Sequence, residues 1–134
     1  MLFRSERSDG RILLLKRASG SSYEGQFFLP GGTVDAGELP EAGAVRELAE
    51  EAGLVPTSAL TLIGVYELPG FPLPALMISY ACTVGDGEPV LSHEHTDLRW
   101  VDPERFRDAL AGQTGFVGDI RTDVERYLWW RSKR

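Results

Sequence analysis

The most constraining feature of this sequence is a dense group of carboxylates between Gly32 and Leu54. Six Asp and Glu side chains lie within these 23 residues. Three of them, Glu47, Glu50 and Glu51, are spaced i, i+3 and i+4, so a helix would place them on one face. Like charges at this spacing destabilise an isolated helix by about 0.2–0.5 kcal/mol per pair. A solvated acidic face is the simplest interpretation of three glutamates alone, whereas a divalent cation with oxygen ligands would offset their repulsion.

The residues around these glutamates form a longer pattern with fixed spacing. Its members are Gly32, Glu38, Arg46, Glu47, Leu48, Glu50, Glu51, Gly53 and Leu54. The pattern resembles the Nudix box, and these nine residues fill every fixed position of that motif. The resemblance implies a Nudix hydrolase, an enzyme that cleaves a diphosphate linkage in a nucleoside diphosphate joined to another group. It also implies the fold of this family, an α/β/α sandwich around a mixed β-sheet.

The resemblance assigns a metal-binding role to the glutamates of the pattern. Glu47, Glu50 and Glu51 are the implied ligands, and the main-chain carbonyl of Gly32 is a further one. The implied ion is Mg²⁺, with Mn²⁺ as a substitute, because hard divalent cations prefer oxygen ligands. Such ions neutralise phosphate charge and lower the pKa of bound water. No group of His and Cys residues offers the ligand set of a structural zinc site.

Two other positions of the pattern are interpreted as structural support for the site. The resemblance implies that Arg46 pairs with Glu38 and braces the loop against the helix, whereas a plain surface cation is the alternative for Arg46. Asp35 and Glu41 are outside the fixed positions, so we expect them to be solvated.

The general base has two sources in this family. In some members a glutamate of the box, here Glu50 or Glu51, activates the water, and in others a glutamate of a later loop does so. Glu94 lies in a segment that looks like this later loop, and it is a candidate base or additional ligand. An exposed loop glutamate is the alternative. His93 and His95 flank Glu94 at a spacing that is poor for chelating zinc, so we expect them to line the pocket or face solvent.

Two residues outside the box are candidates for substrate binding. Arg17, at the end of a predicted strand, could contact phosphate or remain a solvated cation. Phe27 stands where many relatives have Trp, and it could stack on a base or belong to the core. Pro69 lies near a proline of the ADP-ribose-hydrolysing branch, which is weak evidence because loops often contain proline. The small size of the chain is more typical of members that cleave nucleoside triphosphates or oxidised nucleotides, so both substrate classes remain open.

The pattern of apolar runs and turn residues indicates an α/β or α+β domain. Strands are predicted at 12–15, 60–66, 75–84 and 98–101, with a hairpin partner for the first at Leu2-Phe3. A helix is predicted to begin at Pro40 and to stop at Gly53. Further helices are predicted to begin at Asp102 and to span 119–130. The expected core-facing stripe of the first helix consists of Ala42, Val45, Leu48, Ala49 and Ala52.

The composition bears on the number of domains, the cellular compartment and the class of partner. The 134 residues indicate one domain, 1–134, without an apolar run long enough for a membrane span or a signal peptide. Cys82, the only cysteine, lies in an apolar run and is expected to be a buried core residue. A cytoplasmic location is expected, since a reducing compartment fits this cysteine usage. The net charge of −6 argues against nucleic-acid polymers but permits a small anionic nucleotide as the partner.

Proteins that resemble this family also include members with functions other than this hydrolysis. Some proteins keep this fold as a nucleotide sensor or interaction module without turnover, but these commonly lose box carboxylates, and this chain retains them all. Isopentenyl-diphosphate isomerase is a related enzyme that needs a nucleophilic cysteine, and the surroundings of Cys82 do not suit that role. The apolar cluster from Tyr127 to Trp130 could cover the core or form the surface of a homodimer.

Overall fold

The computed structural model describes residues 2–21, 23–68, 72–105, 108 and 120–133. In chain order, its elements are β1 (Leu2–Glu6), β2 (Ile12–Arg17), β3 (Phe27–Phe28), α1 (Pro40–Ala52), β4 (Thr61–Leu68), β5 (Ala75–Thr83), β6 (His95–Val101) and α2 (Ile120–Ser132). Every strand predicted from the sequence is present, with ends shifted by up to a few residues. A short 3₁₀ helix, Pro103–Arg105, begins after Asp102, where a helix start was predicted. Asp119, the predicted start of the last helix, and Pro69 lie outside the described residues.

The strands form one mixed sheet, as predicted. Its order is β3-β2-β1-β5-β4, and β6 pairs with β2. The β1 and β5 strands run parallel, with Leu2 opposite Ser79 and Glu6 opposite Thr83, whereas the other pairs are antiparallel. The predicted hairpin of β1 and β2 is present at Glu6 and Ile12. The longer pairing of β1 is with β5, which the sequence did not indicate.

Apolar side chains of β2 pack on both faces of this sheet. Successive side chains of a strand point to opposite faces, so a continuous apolar run fits a strand that is covered on both sides. Ile12 and Leu14 pack in a cluster with Tyr127 of α2. Leu13 and Leu15 pack in a second cluster with the apolar residues of α1. The two helices therefore cover opposite faces of the sheet, and the predicted α/β/α arrangement is confirmed.

The buried face of α1 differs from the predicted stripe. Ala42 and Ala49 are exposed, so their assignment to the core was wrong. The buried residues of the helix are Gly43, Ala44, Leu48, Glu51 and Ala52. A small residue is tolerated on either face of a helix, so the positions of alanines do not show which face of α1 packs against the core. The rotation of α1 places one of the three glutamates on the packed side, where the sequence predicted only apolar residues.

The structure tests two expectations from the composition, namely that Cys82 is buried and that the chain has no membrane span. Cys82 is 3% exposed and packs in the same cluster as α1, as predicted for a small core residue. Burial raises the pKa of its thiol to about 12, so it is not a nucleophile at neutral pH. Within the described part of the chain, no helix combines the length and the apolar content that a membrane crossing requires.

The aromatic cluster of α2 lies mainly against the core. Tyr127 is 1% exposed, and Leu128 and Trp130 pack against the same cluster, whereas Trp129 is 65% exposed. The Tyr127 hydroxyl donates a hydrogen bond of 2.5 Å to Oε2 of Glu6, and Arg131 Nε lies 3.9 Å from the same oxygen. These contacts attach α2 to the end of β1. The homodimer remains a prediction.

Replacing Tyr127 with Phe should destabilise the domain by about 1–3 kcal/mol, because it removes a hydrogen bond to a carboxylate. Urea unfolding at pH 7 measures the change. Trp129→Phe is the matched control on the same helix, since an exposed ring should change the free energy of unfolding by no more than about 0.5 kcal/mol. Equal effects of the two substitutions would show that the Tyr127–Glu6 contact does not hold α2.

Candidate active site

The helix that carries the three glutamates has well-defined ends. Pro40 occupies its first turn, where a missing N–H is tolerated. Gly53 ends it in a left-handed conformation with φ of 63°, and its N–H donates to the carbonyl of Ala49 at 2.9 Å. Both ends match the sequence prediction. The positions of Glu47, Glu50 and Glu51 are thereby fixed relative to the loops on either side.

The glycine turn before α1 contacts two of these glutamates. Glu51 is 4% exposed, and its Oε2 accepts a hydrogen bond of 2.9 Å from the N–H of Gly31. The carboxyl group of Glu47 lies directly against Gly32, where a Cβ atom would be 2.6 Å from Oε2. Any side chain at position 32 would therefore displace Glu47. This close approach accounts for the glycine at this position, while the ligand role of its carbonyl remains a prediction.

Arg46 connects the loop to the helix through several carboxylates. Its Nε and Nη2 donate to Oε2 and Oε1 of Glu38 at 2.8 and 3.0 Å, so the structure contains the predicted pair in bidentate form. Its Nη1 also donates to Glu47 at 2.9 Å and to Glu50 at 3.1 Å. Asp35, expected to be solvated, is exposed and lies 3.3 Å from Nη2. Arg46 thus orients two of the three candidate ligands as well as bracing the loop.

The pair of Glu38 and Arg46 should make stability depend on pH. Hydrogen bonds from Arg46 lower the pKa of Glu38 to about 2. The unfolded chain binds this proton near the ordinary pKa of 4.5, so the stabilisation is complete above that pH and is lost as pH falls toward 2. Glu38→Gln should therefore lower Tm by a few degrees at pH 7, with a smaller effect at pH 3. Thermal unfolding at both pH values, with exposed Glu41→Gln as control, measures this; a pH-independent effect would contradict it.

A later loop, residues 88–94, is attached to the C-terminal end of α1. The N–H groups of Val90 and Ser92 donate to the carbonyls of Ala52 and Glu51 at 2.8 and 3.3 Å. These carbonyls belong to the last turn of the helix, where intrahelical partners are absent. The carbonyl of Glu94 accepts a hydrogen bond of 2.9 Å from the N–H of Ala18, which follows β2. The loop is thus fixed between the helix and the sheet, next to Glu51.

This attachment brings Glu94 and His95 to the box. Glu51, Glu94 and His95 each offer one ligand atom, and these three atoms lie within 4.8 Å of one another. His95 is 7% exposed, and its buried Nδ1 has no hydrogen-bond partner among the described residues. His93 is exposed. The sequence left both histidines between the pocket and solvent, and strand alternation could not separate them, because residues two apart would share one face. In the structure, His93 precedes β6 and His95 is its first residue.

The electrostatics of the cluster favour a cation. Burial, together with smaller contributions from Glu47 and Glu94, raises the pKa of Glu51 to about 8, although the Gly31 N–H and Arg17 act in the opposite direction. Burial also raises the pKa of Glu47. Burial and then Arg17 lower the pKa of His95. Carboxylates that resist ionisation beside a neutral imidazole are stabilised in their charged form when a metal ion binds between them.

The residues present fit a divalent metal on three grounds. The donors are carboxylate oxygens with one imidazole, a set that binds hard and borderline divalent ions. The glycine at position 32 leaves room against Glu47 that a Cβ would fill. The buried Nδ1 of His95 lacks a partner within the described structure.

The two candidate substrate residues differ in their surroundings. Arg17 is the last residue of β2, opposite His95 in the sheet, and its charge acts on Glu51 and His95. It is therefore beside the cluster, as a phosphate-binding role requires. Phe27 is 8% exposed in the cluster that contains Tyr127, and the guanidinium of Arg99 lies 4.4 Å from its ring centre. A base would have to displace Arg99 to stack on that face, so this role of Phe27 remains a prediction.

Comparison with known proteins identifies related sequences. The family model of the NUDIX domain matches residues 2–117. A MutT-like protein of Streptomyces ambofaciens is 35% identical over 106 residues, which cover 78% of this chain and 64% of that protein. An ADP-ribose pyrophosphatase of Methanocaldococcus jannaschii is 48% identical over 61 residues, 46% of this chain and 35% of its own. An 8-oxo-dGTP diphosphatase of Haemophilus influenzae is 38% identical over 96 residues, 69% and 67% of the two chains. The chain thus spans between about a third and two-thirds of these relatives.

A solved structure shares the fold over nearly the whole chain. The C. elegans Ap4A hydrolase in a binary complex superposes with a TM-score of 0.74 at 20% identity, covering 98% of this chain and 97% of that one. At this identity the likeness concerns the architecture alone. It agrees with the mixed sheet between two helices described above.

Proposed function

Because this chain belongs to the NUDIX domain family, we propose that it is a divalent-metal-dependent pyrophosphohydrolase. It would cleave a phosphoanhydride bond of a nucleotide by attack of water at phosphorus. The observation that carries this proposal is the convergence of the buried Glu51 with Glu94 and His95, beside Glu47 and the glycine turn. A buried carboxylate next to other acidic groups is costly without a cation, and it is typical of a metal-dependent site.

Each box residue has a defined part in this proposal. Glu47, Glu50 and Glu51 hold the metal, together with the carbonyl of Gly32. When bound, Mg²⁺ or Mn²⁺ neutralises charge on the diphosphate and acidifies water. Arg46 orients Glu47 and Glu50 through its hydrogen bonds of 2.9 and 3.1 Å.

Glu94 is assigned as the general base. Its side chain is exposed, one of its oxygens faces the Glu51 carboxylate, and its position is fixed by the backbone contact to Ala18. A carboxylate has two oxygens, so Glu94 would keep one acceptor for a water proton if the other helped to hold a metal. The box glutamates are less suited to this task, because Glu51 is buried and hydrogen-bonded to Gly31, and Glu50 is bonded to Arg46.

Glu94→Gln should lower kcat by about 10²-fold with a much smaller change in KM, because proton transfer is lost while the substrate still binds. Initial rates over a range of substrate concentrations measure both quantities. Glu88→Gln, an exposed glutamate of the same loop, serves as the control and should retain full activity. A Glu94→Gln enzyme with more than half of the wild-type kcat would return the base assignment to Glu50 or Glu51.

The proposed substrate is a nucleoside triphosphate, with oxidised nucleotides foremost. Similarity to the 8-oxo-dGTP diphosphatase extends over 69% of this chain, whereas similarity to the ADP-ribose pyrophosphatase extends over 46%. ADP-ribose and nucleotide sugars are therefore the second choice. Arg17 is proposed to contact the phosphates, since its charge acts on Glu51 and guanidinium groups match phosphate geometry. The net charge of −6 supports a small nucleotide rather than a nucleic-acid polymer.

Chromatographic separation of the products from a substrate panel tests the proposal, because this cleavage releases a nucleoside monophosphate with pyrophosphate or a sugar phosphate rather than inorganic phosphate. The panel contains unmodified and oxidised dNTPs, ADP-ribose, nucleotide sugars and dinucleoside polyphosphates, each with Mg²⁺, with Mn²⁺ or with EDTA. We expect hydrolysis of triphosphates that EDTA abolishes. Preferred cleavage of ADP-ribose would move the protein to the second class. Nucleotide binding without turnover of any compound would overturn the hydrolase proposal in favour of a sensor.

A further inference from the structure

Building on the proposed metal-dependent function, we propose that the imidazole of His95 is a nitrogen ligand that biases the site toward divalent transition ions, such as Mn²⁺ and Co²⁺, over Mg²⁺. The box supplies oxygen ligands only, and no histidine belongs to its fixed positions. The structure places one imidazole nitrogen of His95 within 4.8 Å of carboxylate oxygens of both Glu51 and Glu94.

The burial of His95 supports a role of its ring as a metal ligand. The residue is 7% exposed, and its Nδ1 is buried without a hydrogen-bond partner in the described structure. Buried polar atoms are almost always hydrogen-bonded, so such an exception calls for an explanation. Coordination of a metal ion by this nitrogen, beside Glu51, would remove the penalty.

The backbone holds His95 and Glu51 close together independently of their side chains. The N–H of Ser92 donates to the carbonyl of Glu51, and the carbonyl of Ser92 accepts from the N–H of His95, both at 3.3 Å. His95 is also the first residue of β6, opposite Arg17 at a register shift of β2. The two candidate ligands are thus joined through one residue and anchored to the sheet, which favours a preformed site.

The chemistry of the donor set gives the expected selectivity. Mg²⁺ prefers oxygen ligands and gains little from an imidazole, whereas first-row transition ions bind imidazole nitrogen well. A site with carboxylates alone has only a small difference in affinity between Mn²⁺ and Mg²⁺. Addition of one nitrogen ligand raises the affinity for Mn²⁺ and Co²⁺ selectively.

Spectroscopy of Mn²⁺ on the full chain tests this directly. Pulsed EPR of stoichiometric Mn²⁺ on the wild-type protein should show the coupling of a directly bound imidazole nitrogen, and the coupling should disappear in His95→Gln. Because the wild-type spectrum needs no variant, its result does not depend on how the substitution affects folding. Absence of nitrogen coupling on the folded, Mn²⁺-loaded wild-type protein would overturn the assignment.

Calorimetric titration measures the selectivity of the site for Mn²⁺ and Co²⁺ over Mg²⁺. His95→Gln should weaken Mn²⁺ and Co²⁺ binding by about 10-fold or more and Mg²⁺ binding by less than about threefold. His93→Gln is the matched control, since it removes an exposed imidazole two residues away and should change neither. Equal losses for Mg²⁺ and Mn²⁺ in His95→Gln would also overturn the inference. Nitrogen coupling without hydrolysis would refute the proposed function alone, whereas hydrolysis without the coupling would refute the ligand role alone.

Discussion

Glu51→Gln is expected to lower kcat by about 10³-fold or more while the domain remains folded. Gln keeps the shape of the side chain, and its amide oxygen can still accept the hydrogen bond from Gly31 that Glu51 Oε2 accepts at 2.9 Å. It removes the negative charge, which the proposed site needs to hold a cation. Initial rates on the substrate identified by the panel measure the loss, and urea unfolding shows that the fold persists.

Glu41→Gln is the matched control for this substitution. It makes the same chemical change in the first turn of the same helix, at an exposed position outside the box. We expect its kcat to stay within about twofold of the wild-type value, as for a surface change away from the site. Glu51→Gln with more than a tenth of wild-type activity would remove Glu51 from the metal-binding role.

Saturating Mg²⁺ is expected to raise Tm by roughly 10 °C, and by more at pH 8 than at pH 6. Binding at 100 times Kd stabilises the native state by about 2.7 kcal/mol, which corresponds to this shift for a chain of this size. The pH dependence follows from Glu51, whose pKa burial raises from 4.5 to about 8. Between these values the metal-free native state keeps a proton that the unfolded chain has lost, so its stability falls as pH rises.

Metal binding reverses this trend because it requires the ionised carboxylate. Thermal unfolding at pH 6 and pH 8, with EDTA or with Mg²⁺, gives the four values needed. The metal-free Glu51→Gln protein should lose less stability than the wild type over this range, since it lacks the titrating group. Absence of any shift at saturating metal, or a larger shift at pH 6, would contradict a preformed carboxylate site.

The sequence predicted the features that depend on local pattern. The box spacing placed the glutamates on α1, and the resemblance to the family implied the pair of Glu38 and Arg46, which the structure contains. The continuous apolar run at 12–15 predicted a strand, and its burial on both faces follows from the alternation of side chains. Pro40 and Gly53 marked the ends of α1 because their backbone preferences are strong.

Features that depend on tertiary packing were not predicted. The burial of Glu51 arises from the hydrogen bond of Gly31 and from the loop that covers the end of α1, and neither contact leaves a signal in the helical pattern. Ala42 and Ala49 were assigned to the core because small residues fit both faces of a helix. The sequence left His95 between the pocket and solvent, because its position beside Glu51 depends on hydrogen bonds between the later loop and α1, about 40 residues apart in sequence.

The fate of ¹⁸O from labelled water is the most direct test of the proposed hydrolysis. The reaction is run with Mg²⁺ on the preferred nucleotide, and mass spectrometry locates the label in the separated products. We predict one ¹⁸O atom in a phosphate-bearing product, since water attacks phosphorus and no oxygen of the protein is transferred. A folded, metal-loaded protein that releases no labelled phosphate product from any nucleotide of the panel would contradict the assignment of this site to phosphoanhydride hydrolysis.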